Sequence, residues 1–502
     1  MKKLINPEIL KKLKNSKKKI VMCHGVFDLY HVGHLNHFKE AKTYGDILIV
    51  SVTSDKYVNK GPGRPYFNLS QRLEILSSIN LINYLIISDS PNSVNNIKKI
   101  RPNFYFKGPD YKNLKKDFTG FINDEVEAVK NVKGKIIFGT QETFSSSVLL
   151  NKISNFDKDQ KQILSYVKKN YQFDEIFYKI DKLIKNINIL VIGEIIIDKF
   201  IFTNALGKSG KEAILNLEIL KEINYIGGSA AICNNLEDFT KKNELISFMS
   251  GEANKLNFIK NKLSKKTKCN FFLKKNSKTI IKTKIIDNST NNKLLGLYNF
   301  DDKKLSSKEE NIFLKKIKDS VNKNDFTIVS DYGHGFISSK IASILSKQKN
   351  IIINTQLNSG NIGYHTISKY QKIDCAIINE VELRHEMRNR NEDIKKLISK
   401  LSKKLEIQNL IVTAGKNGSF HYNLKSNKTT SCPAFATHVI DKVGSGDAFM
   451  AIFSIMNLVF PKDPKISLFL SSLATTQVLE GFGNEKSIKF INLLKSLKYI
   501  LK

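Results

Sequence analysis

The sequence predicts an α/β protein of two domains, each built on a sheet with helices laid against it. Three observations carry this reading. Short apolar runs alternate with amphipathic stretches through most of the 502 residues, the pattern of parallel strands joined by crossover helices. A polar, lysine-rich segment without strand signal, 155–186, separates two such series. Each series holds a glycine-punctuated turn running into a helix, a place where backbone amides collect for phosphate.

In the first domain, 1–154, the apolar runs at 19–23, 47–52, 84–87, 103–106 and 135–138 read as strands, and 35–42 reads as an amphipathic helix. Their alternation implies a parallel sheet covered on both faces. The segment 155–186 reads as a helical linker. In the second domain, 187–502, the run 187–193 opens the sheet, and 326–330, 351–354, 375–378 and 410–413 continue it. Between them, 279–287 and 293–301 flank a polar turn at 288–292, which reads as a β-hairpin inserted early in the domain. No internal repeat relates the halves.

An apolar fraction of 41% is enough for ordinary cores. The five cysteines stand singly with no CxxC pair, which argues against a disulfide framework or zinc and for a reducing cytoplasm. Cys23 falls in a predicted buried strand, where a thiol is a small hydrophobe. The N-terminus is studded with lysine and has no apolar core of a signal peptide. The longest apolar run, 448–460, is broken by Ser454 and Asn457 and is shorter than the roughly 20 residues a membrane span needs. A soluble, cytoplasmic protein with no membrane partner is expected. The net charge of +34 invites a nucleic-acid reading, but it is nearly all lysine, spread along the chain, with six arginines. Readers of nucleic acid favour arginine for bidentate contacts. Solvated helix faces account for the lysines, and no nucleic-acid partner is expected.

The densest cluster of chemistry is His24-Gly25-Val26-Phe27-Asp28-Leu29-Tyr30-His31-Val32-Gly33-His34, where the first strand ends and the first helix begins. Two histidines three apart at a helix start share one face and can both donate to a triphosphate. The glycines let backbone approach a nucleotide closely. Attack of a substrate phosphate on the α-phosphorus of a nucleoside triphosphate builds negative charge, which fixed donors stabilise without a covalent protein intermediate. A metal site or simple surface histidines are the alternatives, and no carboxylate or cysteine cluster nearby supports a metal.

This stretch resembles the HxGH nucleotidylyltransferase family. Further pieces agree in order: Ala41-Lys42, Gly45-Asp46, Lys60-Gly61-Pro62-Gly63-Arg64-Pro65, Arg72, Lys107-Gly108, Asp110-Tyr111 and Ser145-Ser146-Ser147. Over about 18–154 they look most like the nucleotidylyltransferase half of bifunctional ADP-heptose synthases, which activates a sugar 1-phosphate. The resemblance implies a Rossmann-like fold in which His31 and His34 stabilise the transition state. It implies that Gly25, Phe27, Lys42 and Ser145, Ser146 and Ser147 hold the nucleotide, and that Arg64, Lys107 and Asp110 meet the substrate.

The second cluster is Asp441-Lys442-Val443-Gly444-Ser445-Gly446-Asp447-Ala448-Phe449, ahead of an apolar helical run. Glycines at a helix start make a nest of amides for a developing phosphoryl charge. A carboxylate just after them can take the proton of an attacking hydroxyl. The passage resembles the DTxGAGD signature of ribokinase-type carbohydrate kinases. Other pieces agree in order: Gly193 and Asp198, Gly227-Gly228-Ser229-Ala230-Ala231 with Asn234 and Asn235, Ser330-Asp331-Tyr332-Gly333-His334-Gly335, Asn379 with Glu382, and Thr413, Gly415 and Gly418. The resemblance implies that Asp447 is the base and that Gly444, Ser445 and Gly446 form the anion hole. Asp198, Gly227, Gly228 and Asn234 would bind the sugar. Thr413, Gly415 and Gly418 would bind ATP, and Asn379 and Glu382 would organise Mg²⁺. The hairpin then matches the small β-lid such kinases place over the sugar, which serves some relatives as a homodimer surface. Four departures stand out. Lys442 replaces a usual threonine, and Ser445 a usual alanine. Gly296 stands where heptose kinases carry arginine, and residues 354–361 read NTQLNSGN in place of a DPK-type segment. The domain order is also the reverse of the usual heptose synthase.

The leading expectation is therefore a bifunctional sugar kinase and sugar-phosphate nucleotidylyltransferase of activated-sugar synthesis, ADP-heptose-like. Its substrates would be sugars or sugar phosphates and nucleoside triphosphates, and the product would feed a lipopolysaccharide or other surface polysaccharide. A second reading keeps the folds and uses CTP with a polyol phosphate. A third is a non-catalytic nucleic-acid or scaffolding protein on these folds.

Overall fold

The computed structural model describes residues 3–58, 64–112, 121–140, 156–274 and 277–501. The chain divides into two compact units, Met1–Asn155 with Leu494–Lys502, and Phe156–Leu493.

In the first unit β1 (Ile20–Gly25), β2 (Ile47–Thr53), β3 (Tyr84–Ser88), β4 (Phe104–Lys107) and β5 (Lys135–Phe138) form one sheet in the order β3-β2-β1-β4-β5. Every neighbouring pair is parallel. Continuous apolar strands suit a sheet buried on both faces. Residue alternation then assigns the faces: Val21, Cys23, Leu48 and Val50 pack with Phe38 and Leu73 on one side, and Met22, Ile49 and Tyr105 pack with Ile97 and Val129 on the other. The order reverses at β1, so the crevice between the carboxyl ends of β1 and β4 is the topological switch point.

The second unit carries a larger sheet, in the order β10-β9-β6-β13-β14-β15-β16-β17-β18. Its strands are β6 (Asn188–Gly193), β9 (Lys242–Met249), β10 (Thr267–Leu273), β13 (Phe326–Asp331), β14 (Ile351–Thr355), β15 (Cys375–Asn379), β16 (Asn409–Thr413), β17 (Ser419–Asn423) and β18 (Lys428–Cys432). All pairs are parallel except β16–β17 and β17–β18. Its switch point lies between β6 and β13. There the strands approach closely, and a Cβ on Gly193 would lie 2.2 Å from the carbonyl oxygen of Ser330.

A second sheet, β12-β11-β7-β8, stands apart as a lid. It is built from β7 (Ile195–Lys208), β8 (Leu215–Gly228), β11 (Ile280–Asp287) and β12 (Lys293–Asn299). The hairpin expected at 279–301 is β11 and β12. The sequence reading did not anticipate the long strands β7 and β8, which make the other half of the lid.

The segment expected as a helical linker is two helices, Lys158–Asn170 and Phe173–Ile184, and both lie in the second unit. Their sparse apolar stripe is buried through Ile163, Leu164, Val167, Ile176 and Ile180. The hydroxyls of Tyr166 and Tyr171 both donate to Asp463, at 2.8 and 2.7 Å. Among the described residues no helix is long and apolar enough to cross a membrane.

Replacing Gly193 by alanine should force β6 away from β13 and cost about 1–3 kcal/mol, the usual penalty of overpacking. Urea unfolding of the full chain followed by fluorescence tests this, and an unchanged midpoint would contradict the packing argument.

Candidate active sites

In the first unit, the chain leaves β1 through two non-glycine residues in left-handed conformation, Phe27 (φ 53°) and Leu29 (φ 44°). Each costs on the order of 1–2 kcal/mol, and the surroundings hold them in place. The Phe27 ring packs on Phe38 at 5.0 Å between centroids and meets the edge of His34 at 5.5 Å. The Asp28 carboxylate accepts the amides of Tyr66 at 2.7 Å and Phe67 at 3.0 Å. Arg72, fully buried, donates to the carbonyls of Val26 at 2.7 Å, Thr53 at 2.9 Å and Phe67 at 3.0 Å, and to Asp55 at 2.6 Å. One guanidinium thus ties three carbonyls around the turn.

The turn delivers His31 as the cap of helix Val32–Lys42. His31 Nδ1 accepts the Gly33 amide at 3.1 Å. A ring nitrogen that accepts an N–H carries no proton, so the neutral ring keeps its proton on Nε2. The His31 and His34 rings stack with centroids 4.0 Å apart. The two imidazoles therefore form one donor surface at a helix N-terminus, suited to a phosphate. Two further histidines, His24 on β1 and His37 on the same helix as His34, were not assigned from the sequence. Burial and the nearby Lys107 ammonium lower both His24 and His37 to about 4, so they are neutral at pH 7.

The other expected residues divide. Gly25 lies under the Phe27 ring, and a Cβ there would lie 3.0 Å from its Cζ. Phe27, 7% exposed, is packed inside as an anchor of the turn, not laid open for a base. Lys42 sits in the last turn of the helix, at the opposite end from the histidines, and donates to Asn83 at 2.7 Å. Lys107 is buried and paired with Glu125 at 2.7 Å, and its ammonium lies 4.8 Å from the Tyr111 ring centroid. Lys42 and Lys107 thus each have an internal partner. Arg64 is half-buried and feels the Asp28 carboxylate. Asp110 stands in the short helix Pro109–Tyr111. Ser145, Ser146 and Ser147, and Lys60 to Gly63, lie outside the described residues.

In the second unit, Gly444 (φ 79°) caps helix Ser445–Val459. The turn requires glycine twice over, since a Cβ there would lie 1.9 Å from Asn484 Oδ1. The Ser445 hydroxyl closes the turn on the Lys442 carbonyl at 2.8 Å. The amides of this first turn have no intrahelical acceptors. Asp447, in the same turn, is 7% exposed, and its Oδ1 accepts the Tyr332 hydroxyl at 2.6 Å. Burial pushes its carboxyl up to about 6, with Tyr332, Gln356 and Lys282 opposing and Asp198 adding to the rise.

Asp198 on β7 faces this site from the lid. Its Oδ2 accepts from Asn484 at 3.2 Å, and a Cβ on Gly227 would collide with it at 2.4 Å. Lys282 lies beside it in register on β11, with its ammonium 5.7 Å from the Tyr332 ring centroid. Lys293 on β12 pairs with the buried Asp441. Burial pushes Asp441 up, but Lys293 and the amides of Gly483 and Val443 hold it below the usual carboxylate range. Asp198, Lys282 and Lys293 thus bring lid residues to the edge that bears Asp447 and Asp441. Gly228 (φ 62°) ends the lid strand β8 against the Glu194 carbonyl.

Asn234 is not brought to this site. Its side chain donates to the Lys262 carbonyl at 3.0 Å and accepts from Ser264 at 3.2 Å, pinning a loop after the helix Ala253–Lys262. Asn379 and Glu382 form a reciprocal capping box on helix Glu380–Met387, and Glu382 also accepts the Leu357 amide at 3.1 Å. Burial pushes Glu382 up to about 7. Among the described residues no three His, Cys, Asp or Glu side chains cluster for a metal. One carboxylate and one amide suit Mg²⁺ only where water and nucleotide phosphates complete its octahedron. Thr413 pairs in register with Asn379, and the turn after it uses Gly415 (φ 55°) and Gly418 (φ 82°). These residues share the carboxyl edge of the sheet with Asn379.

Comparison with known proteins matches a different family model to each unit. The family model of the pfkB family carbohydrate kinases matches residues 186–485, and that of cytidylyltransferase-like domains matches 22–154. Bifunctional protein HldE of Aliarcobacter butzleri is 42% identical over 127 residues, 25% of this chain and 26% of that protein. Bifunctional protein HldE of Helicobacter pylori is 30% identical over 154 residues, 30% of this chain and 31% of that protein. The matches therefore span about a quarter to a third of these relatives. Phosphofructokinase-2 from Escherichia coli, solved in complex with potassium, superposes with a TM-score of 0.51 at 12% identity, over 63% of this chain and 100% of that one. That likeness is one of fold.

Arg72→Met should leave three carbonyls at the first site without their donor and cost about 3–5 kcal/mol, the price of breaking a buried charged network. Differential scanning calorimetry of the full chain tests this, and a transition within a degree of wild type would rule out the bracing role.

Proposed function

The chain belongs to the pfkB family of carbohydrate kinases, and on that premise we propose that it is a bifunctional enzyme of activated-sugar synthesis. Its second unit phosphorylates a sugar or sugar phosphate with ATP, and its first unit couples a sugar 1-phosphate to a nucleotide. The observation that carries this reading is the presence, in one chain, of two helix starts that each hold the group their chemistry needs. One has a stacked pair of imidazole donors. The other has an amide nest with a buried carboxylate beside it.

In the kinase half, the acceptor hydroxyl gives its proton to Asp447 as its oxygen attacks the γ-phosphorus. The bond from that phosphorus to the β–γ bridging oxygen breaks, and ADP leaves. The first-turn amides at Gly444 to Gly446 meet the charge that develops on the transferred group. Mg²⁺, with Asn379 and Glu382 at its periphery, would neutralise the nucleotide phosphates. In the other half, a phosphate oxygen of the sugar phosphate attacks the α-phosphorus and pyrophosphate leaves. No proton need be removed, because the nucleophile is already anionic. His31 and His34 donate to the charge on the transferred group and the leaving pyrophosphate.

ADP-heptose is the product the resemblance names. Use of CTP with a polyol phosphate is the second reading, favoured by the cytidylyltransferase-like match to 22–154. A pyrophosphate-release screen crossing ATP, CTP, GTP and UTP with sugar 1-phosphates and polyol phosphates separates the two. The lid is also the proposed dimer surface. Leu206, Ile219, Leu295 and Leu297 are all more than half exposed on its strands, an apolar face on an open sheet that a second copy of this chain would cover.

Asp447→Ala should lower phosphoryl transfer by roughly 10²–10⁴-fold, the usual worth of a positioned base, and leave pyrophosphate release intact. His34→Ala should do the reverse. Loss of both activities from either change, in protein that remains folded, would sink the two-site reading. Leu295→Glu with Leu297→Glu should shift a lid-paired dimer to monomer in analytical ultracentrifugation, and an unaltered sedimentation coefficient would exclude the lid as the interface.

A further inference from the structure

Asp447 Oδ1 accepts two hydrogen bonds, from the Tyr332 hydroxyl at 2.6 Å and from the Gln356 amide Nε2 at 2.9 Å. Neither donor is local, since they come from the turns after β13 and β14. Both are themselves held. The Tyr332 amide donates to the buried Glu194 at 3.0 Å, and its carbonyl accepts from Asn358 at 3.1 Å and Asn361 at 2.9 Å. The Gln356 amide donates to the Asp331 carbonyl at 2.9 Å, and the next amide, Leu357, donates to Glu382. Gln356 is the third residue of the NTQLNSGN segment, the stretch that departs from the DPK-type pattern.

A carboxylate held this way is asymmetric. Two donors on Oδ1 draw negative charge to that oxygen and prevent rotation about the Cβ–Cγ bond, while Oδ2 remains to accept a proton. We propose that Tyr332 and Gln356 are positioning residues of the kinase site, which lock Asp447 through Oδ1 and present Oδ2 to the acceptor hydroxyl. This rests on the reading of Asp447 as the base. In the transfer step the hydroxyl proton goes to Oδ2, and both hydrogen bonds to Oδ1 persist through the step.

The two donors also set the pH at which the base works. The groups facing Asp447 are Asp198 on β7, Lys282 on β11, Glu382 on the helix Glu380–Met387, and Glu194 behind Tyr332. Burial and the carboxylates favour the protonated acid, while the donors and Lys282 favour the ion. Hydrogen bonds to a carboxylate stabilise its ionised form. Removing either donor therefore raises the pKa of Asp447, and the acid limb of the rate profile moves to higher pH.

The test reads Asp447 directly. The carboxyl carbons of the full-length protein are labelled with ¹³C-aspartate, and the Asp447 signal is assigned by its loss in Asp447→Asn. In the wild type it should titrate near 6. Tyr332→Phe and Gln356→Leu should each raise the midpoint by about one pH unit, and Gln356→Lys, which places a cation there, should lower it. The acid limb of kcat should move by the same amounts, with activity recovered at high pH. Unchanged midpoints in both Tyr332→Phe and Gln356→Leu would overturn the proposal. So would rates that fall equally at every pH, the mark of a merely structural role. Should the wild type transfer no phosphoryl group to any sugar tested while the midpoints still move as stated, the kinase reading fails and the lock on Asp447 stands.

Discussion

Both units face the same physical problem at the carboxyl edge of a parallel sheet, where strands stop and their turns must be held open for a ligand. Each solves it with a buried ionisable side chain, a cation in the first and an acid in the second. In the first unit Arg72 gathers the carbonyls of Val26, Thr53 and Phe67. In the second, Glu194, fully buried, gathers the amides of Tyr332 and His334, both at 3.0 Å. A buried charge is expensive to desolvate, yet it accepts or donates several bonds from one rigid point. Burial and the neighbouring Asp331 push Glu194 up to about 7. The catalytic geometry at each site inherits its precision from these braces.

The lid is where fold and site become hard to separate. Asp198, Lys282 and Lys293 come from three different lid strands, β7, β11 and β12. Asp198 meets Asn484, Lys282 lies over the Tyr332 ring and Lys293 pairs with Asp441. Lys293 reaches Asp441, three residues before Gly444. The lid and the turn leading into helix Ser445–Val459 are thus tied by an ion pair.

Much of the architecture was legible along the chain. Strands buried on both faces, such as Ile47–Thr53, announce themselves as unbroken apolar runs. The lid strands β7 and β8 do not. Strand β7 is exposed over its last five residues and β8 over most of its length, so neither shows a continuous apolar signal. The helices at 158–184 read as a linker because their average is polar, although a narrow stripe of five residues is buried. Lys42 and Lys107 show the same limit: only the fold reveals that Asn83 bonds the one and Glu125 pairs with the other.

The sequence by itself determined the fold class and the two helix starts, at which His31, His34 and Asp447 stand. Those features are local: a strand, a glycine turn and a helix cap lie within a dozen residues and are encoded by spacing. What the tertiary structure alone decided is how those groups are set to work. Tyr332 and Gln356 reach Asp447 across 115 and 91 residues of chain, and Arg72 reaches Val26 across 46. Hydrogen bonds of that range depend on strand order and register, which no local pattern carries, and they decide which oxygen and which protonation state the site presents.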